Sequence, residues 1–302
     1  MLGGGLARPG DGNMAGVTTN RTRRAGALGG TLGVLMAANV LNNRVARRWA
    51  PLTSAVATGA LVLVARREGI TWRELGFRRA RAGALTGGAL AAGVAAVYAA
   101  GVAHPRTRVL FHDERALALS RRRVLEEALV QVPFGTVLLE EVGFRGVLPA
   151  LLGRSLPPHA AVAVSAALFG LWHVLPAMDM AGANPALGRL TAGETTAEAA
   201  DPVEPGRPVQ AGRAQAGHSV QTGGPGQDGR PEAGRPAETG RLVAGTVAST
   251  AVAGLVFHAL RHRAGLLAPA LLHLATNSLG YAAARVARRL DQPSRGSARP
   301  VR

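Results

Sequence analysis

Three short stretches of this 302-residue chain carry side chains capable of acid–base chemistry inside otherwise apolar sequence. The first is Glu140-Glu141-Val142-Gly143-Phe144-Arg145. A spacing of four puts Glu141 and Arg145 on one helix face, where they can pair as ions. That pairing leaves Glu140, about 100° around the helix, free for other work. The second, Phe169-Gly170-Leu171-Trp172-His173, closes an apolar run with an imidazole, and Trp172 suits an interfacial aromatic belt. The third, His273-Leu274-Ala275-Thr276-Asn277, sets an imidazole and a carboxamide on one helical stripe, both able to donate to one point.

Taken singly, each stretch has an ordinary explanation: a salt bridge at a helix end, an interface histidine, or hydrogen bonding between membrane helices. Taken together they do not. A charge at the bilayer centre costs at least ~2.5–3.5 kcal/mol, and a bundle with no chemistry to perform has little reason to accept that cost three times. The other histidines are weaker candidates. His104 and His112 sit in a basic loop, His159 follows Pro157-Pro158, His218 lies in a polar insert, and His262 in an Arg-rich turn. His258 ends an apolar run and reads as an interface residue. A second acidic pair, Glu126-Glu127, has Gln131 and not Arg four residues after Glu127.

Apolar runs at 25–41, 51–65, 82–103, 128–150, 159–177, 242–260 and 264–284 are the elements that must position these groups. A span needs roughly 20 apolar residues, so the fold class expected is all-α, a polytopic transmembrane bundle of about seven to eight helices. Arg21, Arg23 and Arg24 precede the first run, which reads as a retained anchor and not a cleaved signal. Gly83, Gly87 and Ala91 recur at a spacing that lets helix backbones approach closely. The organisation expected is a disordered basic tail over 1–24, a first membrane part over 25–177, and a disordered Gly/Pro/Thr-rich insert over 178–240. A second membrane part over 241–286 and a disordered basic tail over 287–302 complete it. Both the loop 66–81 and the C-terminal tail are rich in Arg, which argues for the cytoplasmic side in each case. Five simple crossings would separate them, so one run is expected to be interfacial, re-entrant or split.

The chain is 47% hydrophobic with a net charge of +17, and all its basic residues are Arg. Nucleic-acid binding would call for a basic face with interleaved aromatics or a known module. Neither is present, and the Arg clusters sit at the ends of apolar runs, so the partner expected is the lipid bilayer and no nucleic acid. The absence of cysteine excludes disulfides, thiol catalysis and Cys-ligated metals.

In this order, EEVGFR, FGLWH and HLATN resemble the CPBP family of membrane endopeptidases, also called Abi or type II CAAX proteases. The loop TWRELGFRR at 71–79 also looks like that family's basic loop. The resemblance covers roughly residues 50–285 without the insert. It implies an intramembrane endopeptidase in which Glu140 activates water with help from His173, and His273 and Asn277 hold the oxyanion. Glu141 and Arg145 would support the site through their ion pair. Amide hydrolysis needs a base suited to neutral pH, toward which burial moves a carboxyl, and fixed donors aimed at the oxyanion. No cofactor is expected. Zinc is the rival mechanism, with Glu140, His173 and His273 as ligands, although no HExxH is present. The substrate implied is a membrane protein or peptide, and the location a multi-pass position in the cell membrane. The alternative is a non-enzymatic membrane protein, such as a bacteriocin-immunity factor or a partner scaffold. A proton-coupled transporter ranks last, because no internal repeat is detected.

Overall fold

The computed structural model describes residues 11–183 and 236–292, and among them every regular element is helical. Helix α1 (Asp11–Val40) continues through a wide turn at Leu41–Val45. It is followed by α2 (Ala50–Arg67) and α3 (Ala80–Ala103). A continuous helical stretch over 121–152, α4, leads to α5 (Pro158–Trp172) and α6 (Val174–Ala183). Helices α7 (Pro236–Ala264) and α8 (Leu267–Asp291) complete the bundle.

Among the described residues, five segments are long and apolar enough to cross a membrane: Arg21–Val45, Arg47–Arg67, Ala80–Ala103, Pro158–Asp179 and Thr239–Ala264. The two remaining apolar runs are helical as well, and they are the ones that carry Glu140 and His273. In α4 the regular repeat gives way to wide, π-type turns over Glu127–Val137 and Glu141–Val147. Pro133 lies in the first of these, where its missing N–H and its ring rule out a regular turn. Helix α8 is amphipathic: it buries Ala283, Ala284 and Ala287 and carries Arg285, Arg288 and Arg289 among them.

Several boundaries differ from those expected. Residues 11–24, 178–183, 236–240 and 287–291 are helical, not loose tail or insert. Once a helix is nucleated by its packed segment, each further residue adds a backbone hydrogen bond at little cost, so helices run past their apolar cores. The rest of the segments expected to be disordered, 1–10, 184–235 and 293–302, lie outside the described residues.

Ion pairs mark the two ends of the bundle. At one end Arg23 pairs with Glu68 at 2.9 Å, Arg154 with Glu74 at 2.9 Å, and Arg78 donates to the His262 carbonyl at 2.9 Å. At the other, Asp179 takes Arg44 and Arg47 at 3.0 and 2.8 Å, and Asp291 takes Arg108 at 2.9 Å. The loop 66–81 and the arginines of α8 therefore sit at opposite ends.

Small residues set the helix spacing. A Cβ on Gly83 would lie 2.9 Å from the Ala264 carbonyl oxygen, and one on Gly87 2.8 Å from that of Ala268. These glycines let α3 lie directly on α8, as their spacing suggested. Between α7 and α8 the chain reverses at Gly265, whose φ of +83° favours glycine. The Leu266 amide then donates to the Gly76 carbonyl at 2.9 Å, tying the turn to the basic loop.

That loop is ordered by a reciprocal cap. The Thr71 amide donates to Glu74 Oε2 at 2.7 Å, and the Glu74 amide donates back to Thr71 Oγ1 at 3.2 Å. The Thr71 amide, with further help from its hydroxyl and Arg154, holds the Glu74 carboxyl below its ordinary value of 4.5. Leu75 is fully buried beside these contacts.

Two outcomes follow from this packing. Gly87→Ala should destabilise the detergent-solubilised protein by about 1–3 kcal/mol in thermal or denaturant unfolding, because the added methyl meets backbone. Glu74→Ala should lower the melting temperature at neutral pH. A carboxyl depressed in the folded state contributes stability above its unfolded value, so the difference from wild type should shrink as pH falls below 4.5.

Candidate active site

The ionisable residues of the apolar runs meet where α4, α5, α7 and α8 pack together. Glu140, Glu141, Arg145 and His273 are all at most 5% exposed. His173 is the most open of the group, with 18% of its side chain accessible.

The end of α5 determines how His173 is held. The helix stops at Trp172, and the His173 amide turns to the Gly170 carbonyl at 3.0 Å. The Phe169 carbonyl receives the His173 ring instead, at 2.8 Å from Nδ1. A carbonyl only accepts, so Nδ1 carries the proton and Nε2 faces Glu140 Oε2 at 4.0 Å. From α8, His273 places its Nε2 3.7 Å from the same oxygen. Two imidazoles on separate helices thus converge on Glu140 Oε2, which has no hydrogen-bond partner among the described residues.

Glu141 has a second partner besides the arginine that its spacing suggested. Its Oε1 lies 2.9 Å from His273 Nδ1, whereas its Oε2 is 3.6 Å from Arg145 Nε, outside good hydrogen-bond geometry. The two carboxylates are therefore not separated on two faces: the His273 ring spans them, one nitrogen to each. The Arg145 guanidinium is 1% exposed and is stacked against Phe169 at 3.7 Å and Phe257 at 4.8 Å from the ring centroids. It is balanced by the Glu141 charge and by two ring faces, not by hydrogen bonds.

Asn277 stands one turn along α8 from His273 and is half-buried, its carboxamide oxygen accepting from Thr276 Oγ1 at 3.5 Å. The pair Glu126-Glu127 is tied to Arg123, one turn earlier, and takes no part in the cluster. His258 lines a small space beside Arg145 with Phe144 and Ser165, away from Glu140.

A sequence model described as type II CAAX prenyl endopeptidase Rce1-like matches residues 127–279, just over half of the chain. The chain belongs to this family. The Rce1-like match contains all three motifs, and with them Glu140, Glu141, Arg145, His173, His273 and Asn277. Neither the curated proteins nor the solved structures include a match to the chain.

Among the described residues of this Rce1-like chain, no group of three His, Cys, Asp or Glu side chains is gathered as a metal ion would require. The ligand set expected for zinc is Glu140, His173 and His273. Their 4.0 and 3.7 Å separations are wider than the roughly 3.3 Å between ligands of a tetrahedral zinc with bonds of about 2.0 Å.

Two contributors were not legible as site residues. Trp172, read as a belt position, is 8% exposed and donates Nε1–H to Glu140 Oε1 at 2.8 Å. An indole can serve either a headgroup or a buried carboxylate, and only packing decides between them. Phe257 lies in an unremarkable apolar run, and nothing in its neighbours signals a cation.

The charge balance is open to measurement. Glu141→Leu leaves Arg145 buried without its counter-charge and should cost about 3–5 kcal/mol of stability. The double variant Glu141→Leu/Arg145→Met should recover most of that loss in the same unfolding assay, giving a large coupling energy.

Proposed function

We propose that the chain is an intramembrane endopeptidase, multi-pass in the cell membrane, that hydrolyses a peptide bond in a membrane-associated protein or peptide. Glu140 is the general base, assisted by His173. The observation that carries this reading is the convergence of His173 Nε2 and His273 Nε2, at 4.0 and 3.7 Å, on the unpartnered oxygen of Glu140.

Water held between Glu140 Oε2 and His173 Nε2 gives up its proton as it attacks the scissile carbonyl. Both acceptors are buried or nearly so, and a water-poor setting strengthens each electrostatic contact. His273 and Asn277, on one stripe of α8, then stabilise the oxyanion of the tetrahedral intermediate. For His273 to donate from Nε2 while Nδ1 binds Glu141, its ring must carry both protons. The Glu141 carboxylate, 2.9 Å away, accepts the one on Nδ1. The proton taken from water passes to the leaving amine, which completes the hydrolysis.

Glu140→Gln and His273→Ala should each lower kcat by about 100-fold or more, with helix content and membrane insertion unchanged. Turnover is read in liposomes on an internally quenched, prenylated CAAX peptide. Peptides crosslinked to the Glu140→Gln form in native membranes, identified by mass spectrometry, define the physiological substrate. Full turnover by either variant would overturn the assignment.

A further inference from the structure

Each oxygen of the Glu140 carboxylate has a different environment. Oε2 faces the two imidazoles with no hydrogen bond, while Oε1 accepts from Trp172 Nε1 at 2.8 Å. We infer that Trp172 is a positioning residue of the active site: its indole N–H pins Oε1 and thereby presents Oε2 to the water. This inference rests on the reading of Glu140 as the base.

An indole nitrogen is donor-only, so the bond has one polarity, and a hydrogen bond to an ionised acceptor is among the stronger kinds. The terminal torsion of a glutamate is broad and nearly two-fold, so without an anchor either oxygen would turn toward the histidines. Trp172 is itself held at its ring and at its backbone. Its ring meets Phe144 edge-on at 5.4 Å and 69°. Its backbone carbonyl accepts from Asn39 Nδ2 at 3.0 Å, and the Asn39 carboxamide oxygen accepts in turn from Asn43 at 2.7 Å. Asn39 is 8% exposed, so this chain of contacts runs inside the bundle, from α1 through α5 to the carboxylate on α4. A belt tryptophan has no use for such support.

Among the described residues, the other charged or titratable groups facing Glu140 are His173 from α5, His273 from α8, and the neighbouring Glu141–Arg145 pair on its own helix. Removing the indole N–H leaves all of them in place. The test is Trp172→Phe in the full chain, with the prenylated CAAX peptide in liposomes as probe. Losing a donor to the ionised form moves the acid limb of the pH profile to higher pH. Poorer aim of the base lowers kcat by about tenfold or more, with KM within about twofold. Replacing residue 172 by benzothienylalanine keeps the ring shape without the N–H and should reproduce the effect if Trp172→Phe folds poorly.

A second readout needs no turnover. The chain has three tryptophans, and one indole 15N–1H resonance should move in Glu140→Gln while the other two stay. A wild-type acid limb and kcat in both residue-172 variants, or three unmoved indole resonances, overturns the inference. A lowered melting temperature with an unchanged limb assigns Trp172 a packing role only and also overturns it. Wild-type turnover by Glu140→Gln instead removes the underlying reading of the base, so the two failures are distinguishable.

Discussion

A guanidinium, two carboxylates and an imidazole are buried together in the middle of this bundle, and each is tolerable only because the others are there. An isolated ion in such a medium would be strongly penalised. Among the described residues Arg145 has no hydrogen-bond partner, and it relies on Glu141 at 3.6 Å and the faces of Phe169 and Phe257. Glu141 in turn depends on His273, and His273 on both acidic residues. Because these side chains come from α4, α5, α7 and α8, the balance exists only when four helices are docked. Stability and site geometry are thus one constraint.

Docking of that kind requires backbones to come close. Gly83 and Gly87 seat α3 on the helix that carries His273, and Gly170 seats α5 on α7, where a Cβ would lie 2.5 Å from the Val247 carbonyl. In lipid, where apolar surface is not expelled by the solvent, such close contact is a main source of helix association. Gly170 lies within the FGLWH stretch, three residues before His173. The stretch that supplies the imidazole thus also supplies the contact that holds its helix.

Local irregularity also serves the site. Had α5 continued regularly past Trp172, the Phe169 carbonyl would have been taken by the His173 amide. The break frees it to fix the tautomer of the His173 ring. Phe169 therefore contributes twice, with its carbonyl toward His173 and its ring against Arg145. In α4 a wide turn begins at Glu141, immediately after Glu140, and both carboxylates reach one imidazole.

Much of this was legible from residue order alone. Uncharged runs mark the helices because backbone and side chains in lipid leave few alternatives, and the ionisable groups within those runs gather in one buried cluster because their cost must be met. A spacing of four correctly suggested that Glu141 and Arg145 are near each other, and the glycine spacing correctly suggested a close helix pair. What spacing could not reveal is choice among distant partners. Glu141 bonds to a histidine 132 positions away in preference to the arginine four positions away, and Trp172 turns inward to Glu140 instead of outward to headgroups. Helix ends were misplaced for a related reason, since composition marks where burial begins and cooperativity carries the helix further. Which end of the bundle each basic segment occupies was likewise settled only by the packing. Sequence periodicity reports the face of a single helix, whereas partner, tautomer and orientation depend on which faces meet, and that is a property of the assembled fold.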